Sequence, residues 1–245
     1  KLPEEPTMNA RMELLRYTDP KFSSYSAKEY KPLSMDRPSP ILHIPRDVEL
    51  DDPIEGRAAC HVVEAEWRVA GWLEREGISH DIYAESQLND GTLILDEYKV
   101  LLITTHPEYW TRSMFFQVKK WVDERGGRLI YLGGNGVNCE VTLHENHALV
   151  YHNGTGEAMV AGGFESRMHM STGVSEASLL GVVYTEEGVM TAAPYEVVEP
   201  EHWVFSGTGL AKGSIFGVAS FNERIPGGAS GHETDKISPS SPPGT

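Results

Sequence analysis

Tyr98-Lys99-Val100-Leu101-Leu102-Ile103-Thr104-Thr105, running into His106-Pro107-Glu108-Tyr109-Trp110, is the stretch on which the fold turns. A continuous apolar run of this length fills a strand buried on both faces, and the proline stops it, because proline cannot donate to a hydrogen-bond ladder. Over residues 111 to 125, Met114, Phe115, Val118, Trp121 and Val122 recur at helical spacing, and Gly126-Gly127 stand where a helix ends. Arg128-Leu129-Ile130-Tyr131-Leu132 then reads as a second buried strand, leaving through Gly133-Gly134-Asn135-Gly136. Upstream, Val62, Val63, Trp67, Val69, Ala70 and Leu73 mark an amphipathic helix between Ala58 and Glu76, with Gly77 behind it. Asp81-Ile82-Tyr83 reads as a short strand. Helix, strand, helix, strand with short glycine-marked connections predicts an α/β fold: a doubly wound, mostly parallel sheet that binds ligands beyond its strands' carboxyl ends.

The flanks read differently. Residues 1 to 55 are rich in Pro, Ser, Asp and Tyr, with one short apolar run at Ile41-Leu42-His43-Ile44, and form an arm that wraps a neighbouring surface. Residues 56 to 245 form the domain proper. Within it, glycines break residues 141 to 200 into short segments, as in a β-rich insertion. From Gly227 to Thr245, Gly, Ser, Pro and His predict an ordered loop running into a loose tail.

The 245 residues suffice for one sizeable core. A formal charge of −15 repels phosphate backbones and anionic membrane surfaces, which argues against a nucleic-acid or membrane partner. No apolar run approaches the roughly 18 to 20 residues that span a bilayer. Two cysteines, Cys60 and Cys139, exclude a disulfide framework or a four-thiolate zinc site and fit a reducing cytoplasm. The first residue, Lys1, suggests a trimmed chain or a fragment.

Both strand ends carry chemistry. His106 and Glu108 sit on a proline-stiffened loop, where an imidazole and a carboxylate bind a metal or share a proton; the plainer alternative has Glu108 capping the next helix and His106 bonding the backbone. Gly133-Gly134-Asn135-Gly136 offers N–H groups and one amide to an oxyanion, or merely lets the strand leave the sheet. A nucleophilic cysteine elbow is absent there, since the position holds Gly or Asn and Cys139 lies beyond it. His144 and His147 are three apart, not the four of a zincin helix, and read as surface histidines. In Gly227-Gly228-Ala229-Ser230-Gly231-His232-Glu233, Glu233 is either part of a polar tail or a base carried over the sheet's mouth, its pKa raised by desolvation. Tyr17, Tyr25 and Tyr30 in the arm are packing aromatics, or ligands if a hard cation such as ferric iron lies beside them.

Several spaced runs act jointly: Trp72-Leu73-Glu74-Arg75-Glu76-Gly77, Tyr98 to Trp110, Leu132-Gly133-Gly134-Asn135, Glu201-His202-Trp203-Val204-Phe205-Ser206-Gly207-Thr208-Gly209-Leu210, and Gly227 to Glu233. In order and spacing they resemble the C-terminal, class I glutamine-amidotransferase-like region of the N,N-dimethylformamidase large (beta) subunit family, over about residues 40 to 240. The resemblance implies hydrolysis of a small linear amide to formate and an amine at a mononuclear ferric iron held by two tyrosines and a glutamate. It also implies a small partner subunit and a homo-oligomer. By position, Glu108 and Tyr25 are the implied metal ligands, with Tyr30 in reserve; His106 lies beside the metal, Asn135 polarises the substrate carbonyl and Glu233 is the general base. The second ligand tyrosine would fall near Glu4-Glu5-Pro6-Thr7-Met8-Asn9, where this chain has none. That departure and the absent cysteine elbow support an alternative, a non-catalytic binding or assembly domain on the same fold; a carbohydrate-related member of the same broad fold is a third.

Overall fold

The computed structural model describes residues 33–34, 63–143, 148–151, 159, 161–184, 194–218 and 234–245. Tyr25, Tyr30, Cys60, His144, His147 and Glu233 lie outside the described residues, as do nearly all of the arm and the glycine run before Glu233. No helix among the described residues is long and apolar enough to cross a membrane.

The strands are β1 (Leu33–Ser34), β2 (Val100–Thr105), β3 (Tyr109–Trp110), β4 (Arg128–Gly133), β5 (Cys139–Leu143), β6 (Ala148–Tyr151), β7 (Val183–Tyr184), β8 (Tyr195–Glu196), β9 (Ile215–Phe216) and β10 (Asp235–Lys236). The helices are α1 (Val63–Arg75), α2 (Glu85–Asn89), α3 (Arg112–Arg125), α4 (Arg167–Thr172) and α5 (Ala177–Leu180). The expected strand–helix–strand unit is present: β2 and β4 pair in parallel, Val100 opposite Arg128 through Thr105 opposite Gly133, with α3 between them in sequence. β3 pairs in parallel with β5, β5 antiparallel with β6, and β6 antiparallel with β1. The chain therefore runs β2 into β3 alongside β4 into β5, and both ribbons break at the same level.

Each element has a local cause. Thr111 caps α3, its hydroxyl accepting from the Met114 N–H at 3.1 Å, and Gly126 ends the helix at φ 74°. Met114, Phe115, Val118 and Trp121 form its buried face, packing with Ile103, Trp110, Val137 and Met168 into one core. Each such side chain contributes roughly 1.5–3 kcal/mol by leaving water. Gly127 has no room for a side chain, since a Cβ there would meet the Trp121 ring at 2.1 Å. α1 ends in a paired cap in which Ile78 N–H donates to Leu73 O and Gly77 N–H to Glu74 O, Gly77 taking φ 66°.

Four expectations need correction. Asp81-Ile82-Tyr83 forms no strand; Ile82 points to solvent, and Tyr83 instead hydrogen-bonds Tyr98 through their hydroxyls. β4 is covered on one face only, with Ile130 and Leu132 exposed. Residues 141 to 200 contain the short helices α4 and α5 besides strands; Ser166 caps the start of α4, and Gly173 and Gly181 end the two helices in left-handed conformation. The end of the chain is not a loose tail throughout: β10 pairs antiparallel with β7, Asp235 opposite Tyr184.

Candidate active site

The common break in the two ribbons is where strained backbone collects. Among the described residues, the non-glycine residues with positive φ are Thr105 (63°), Asn135 (54°) and Val137 (53°), all at the carboxyl ends of β2 and β4. Two are β-branched, and such conformations cost on the order of 1–3 kcal/mol each, held only where surrounding structure over-determines them. Here two backbone bonds stitch one loop to the other: Gly134 N–H donates to Thr105 O at 3.3 Å and Val137 N–H to Pro107 O at 2.7 Å. Asn135 lies between those two donors, and His106 between those two acceptors. The close approach also explains the glycines. A Cβ on Gly133 would lie 2.5 Å from the Thr105 carbonyl oxygen, and one on Gly136 would lie 2.7 Å from the Tyr131 hydroxyl.

Glu108 is buried, 6% exposed, and its two carboxylate oxygens are differently held. His106 Nε2 lies 3.0 Å from Oε2, and the Cys139 thiol donates to Oε1 at 3.6 Å. Cys139 N–H also donates to Glu108 O at 2.9 Å, continuing the parallel pairing of β3 with β5. Burial first, and Glu108's charge second, push the Cys139 thiol far up, against a smaller opposing pull from Arg167. This thiol is a hydrogen-bond donor to the carboxylate and not a nucleophile. Glu108 does not cap α3, which Thr111 does, and Trp110 next to it is fixed by its indole N–H on Glu85 Oε1 at 2.9 Å.

Asn135 is buried and oriented. Asn138 Nδ2 donates to its Oδ1 at 2.6 Å, so the donor end of the Asn135 amide is the end left for a carbonyl oxygen. Its backbone N–H donates to Asp235 Oδ1 at 2.8 Å. Asp235 Oδ2 accepts from the Tyr131 hydroxyl at 2.8 Å, and that hydroxyl oxygen accepts from Gly136 N–H at 2.8 Å. Burial, with Asp235's charge beside it, raises the Tyr131 phenol well above its ordinary value and keeps it a donor. Behind this loop Glu176 is wholly buried, its Oε2 taking a hydrogen bond from Ser166 Oγ, and burial pushes its carboxyl up to about 8.

The family description N,N-dimethylformamidase beta subunit-like, C-terminal, matches residues 14–245 of this chain. The chain belongs to that family. The beta subunit of N,N-dimethylformamidase from Alcaligenes sp is 25% identical over 218 residues, covering 78% of this chain and 27% of that protein. The corresponding subunit from Paracoccus aminophilus is 24% identical over the same length and the same shares. The chain thus spans about a quarter of the length of these dimethylformamidase relatives.

Of the residues the dimethylformamidase resemblance singled out, His106 and Glu108 meet directly, and Asn135 stands on the loop stitched to theirs. Tyr25 and Glu233 lie outside the described residues. Among the described residues no group of three or more His, Cys, Asp and Glu side chains is gathered to hold a metal ion. Glu108 alone fits as one ligand of a hard ferric ion: it is a buried oxygen donor oriented by a neighbouring imidazole, as ligating carboxylates are. Sequence reasoning missed Tyr131, Asn138, Cys139 and Asp235. Cys139 carried a signal in standing first on the strand after the glycine loop, whereas Asp235 carried none, lying 100 residues from its partner.

Proposed function

We propose that this chain is the amide-hydrolysing region of a formamidase-like enzyme, cleaving the C–N bond of a small linear amide such as N,N-dimethylformamide to formate and an amine. The observation that carries the reading is the placement of the His106–Glu108 pair, with Glu108 buried and His106 half-buried, and of the oriented Asn135 amide on two stitched loops at parallel strand ends, where α/β sheets bind ligands. The wider fold in this reading is a class I glutamine-amidotransferase-like, doubly wound sheet, of which β2, α3 and β4 are one unit.

Glu108 and Tyr25 would hold a mononuclear ferric ion. That ion, when bound, supplies Lewis acidity to the amide. His106 fixes the orientation of the Glu108 carboxylate through its Nε2 contact. The Asn135 amide donates to the substrate carbonyl oxygen and more strongly to the oxyanion that develops from it. Glu233 takes the proton of the attacking water and returns one to the departing amine nitrogen. The same reading takes a cytoplasmic protein with a small partner subunit, the relatives being named as subunits of an enzyme.

A second reading, a non-catalytic assembly domain, is favoured by the absence of tyrosine from residues 4 to 9. Elemental analysis and the visible spectrum of the purified protein separate the two. The hydrolase reading expects about one iron per chain, the stoichiometry of a mononuclear site, and a tyrosinate-to-ferric band lost in Tyr25→Phe. Colourless protein that takes up no iron when it is offered leaves the assembly reading.

A further inference from the structure

We infer that Asp235 is a positioning residue: one carboxylate that holds the left-handed turn at Asn135 and fixes the chain two residues beyond Glu233. The inference rests on the hydrolase reading for its kinetic part and on geometry alone for its structural part. Asp235 Oδ1 accepts from Asn135 N–H and Oδ2 from the Tyr131 hydroxyl, both at 2.8 Å, while that hydroxyl accepts from Gly136 N–H at 2.8 Å. Two donors of the β4 segment and its following loop are thereby tied to one side chain of the last strand, and a third, Gly136 N–H, is tied to it through the Tyr131 hydroxyl. That strand is itself anchored, Lys236 pairing with Val183 and Asp235 with Tyr184.

The arrangement has a physical purpose. Asn135 at φ 54° is in the left-handed region, which asparagine tolerates better than other non-glycine residues and in which a fixed partner for its N–H holds it. Turn geometry does not satisfy its N–H, which points at a residue 100 positions away. A carboxylate acceptor makes that bond roughly twice as strong as a neutral one would. Tyr131 completes the clamp, because its hydroxyl donates to the carboxylate and accepts from the next amide at once. The side chain of Asn135 then points the same way in every molecule, as stabilising an oxyanion requires.

The test uses the full protein as it exists, with Asp235→Ala, Asp235→Asn and Tyr131→Phe. Amide hydrogen exchange at residues 133 to 137 is read without substrate. It should speed up in all three variants, most in Asp235→Ala, since the asparagine keeps one acceptor for the Asn135 N–H. With N,N-dimethylformamide, kcat should fall about tenfold to a hundredfold, graded Ala below Asn below Asp, with KM changed less, as for loss of transition-state stabilisation. Asp235→Asn keeps size and one acceptor and so remains informative if Asp235→Ala fails to fold. Unchanged exchange at Asn135 in folded Asp235→Asn and Tyr131→Phe overturns the clamp. Faster exchange with kcat within twofold of wild type overturns the positioning role. A wild type inactive on amides overturns the hydrolase reading and with it the kinetic role, while exchange still decides the clamp.

Discussion

Replacing Glu176 by glutamine should make the protein more stable at neutral pH. The carboxyl is wholly buried; desolvation pushes its pKa from 4.5 up to about 8, and the neighbouring charges of Glu165 and Asp235 add to it. Its Oε2 takes a hydrogen bond from Ser166, and its Oε1 has no partner among the described residues. A carboxyl whose folded value lies above its unfolded value keeps a proton that the unfolded chain releases. Stability therefore falls as pH rises from the unfolded value toward the folded one and is unaffected below both. At about 1.4 kcal/mol per pH unit, the interval from 4.5 to pH 7 costs the native state about 3 kcal/mol. Glutamine has the same shape, keeps an oxygen for Ser166 and never ionises. Glu176→Gln should then raise the melting temperature at pH 7 by roughly 5–10 °C for a chain of this size, and leave it unchanged near pH 4. Calorimetric melting of both proteins from pH 4 to pH 9 checks this. Wild-type and variant curves that run parallel across the whole range would refute the reasoning, because the buried carboxyl would then have no linkage to folding.

Two further outcomes follow from the loops. Gly133→Ala drives a Cβ to 2.5 Å from the Thr105 carbonyl oxygen, a backbone atom that moves only with β2, so urea denaturation should show a loss of at least about 2 kcal/mol. In the hydrolase reading Asn135→Ala removes the amide that donates to the substrate carbonyl, so amide turnover should drop about a hundredfold or more in kcat, while circular dichroism stays that of the folded protein.

The parts of the fold that could be read from the sequence were those with a long enough repeat. β2, α3 and β4 each span at least six residues, and their apolar spacing, with Pro107 after β2 and glycines closing α3 and β4, marked them to within a residue or two. The short helices α4 and α5, of 6 and 4 residues, are below the length at which a period can be counted, and the start of α4 depends on Ser166, a polar residue equally at home in a loop. Asp81 to Tyr83 looked extended from composition alone, but a strand needs a partner, and Tyr83 found Tyr98 instead. The candidate site divides similarly. His106, Glu108 and Asn135 were legible because the topology rule points at strand ends. Cys139 on Glu108 and Asp235 on Asn135 were not, since contacts of 31 and 100 residues' separation depend on register and on the return of the last strand. Two of the glycines in Gly133 to Gly136 are needed where backbone meets backbone and a phenol meets the chain, contacts that a count of glycines does not reveal.

The most direct test is formate release from N,N-dimethylformamide by the purified full protein and by its Glu233→Gln variant, with iron content measured on both. The account predicts formate and dimethylamine in equal amounts from the wild type, and none above background from the variant at unchanged iron content. An iron-loaded wild type that releases no formate from any small linear amide, or a variant as active as the wild type, would contradict it.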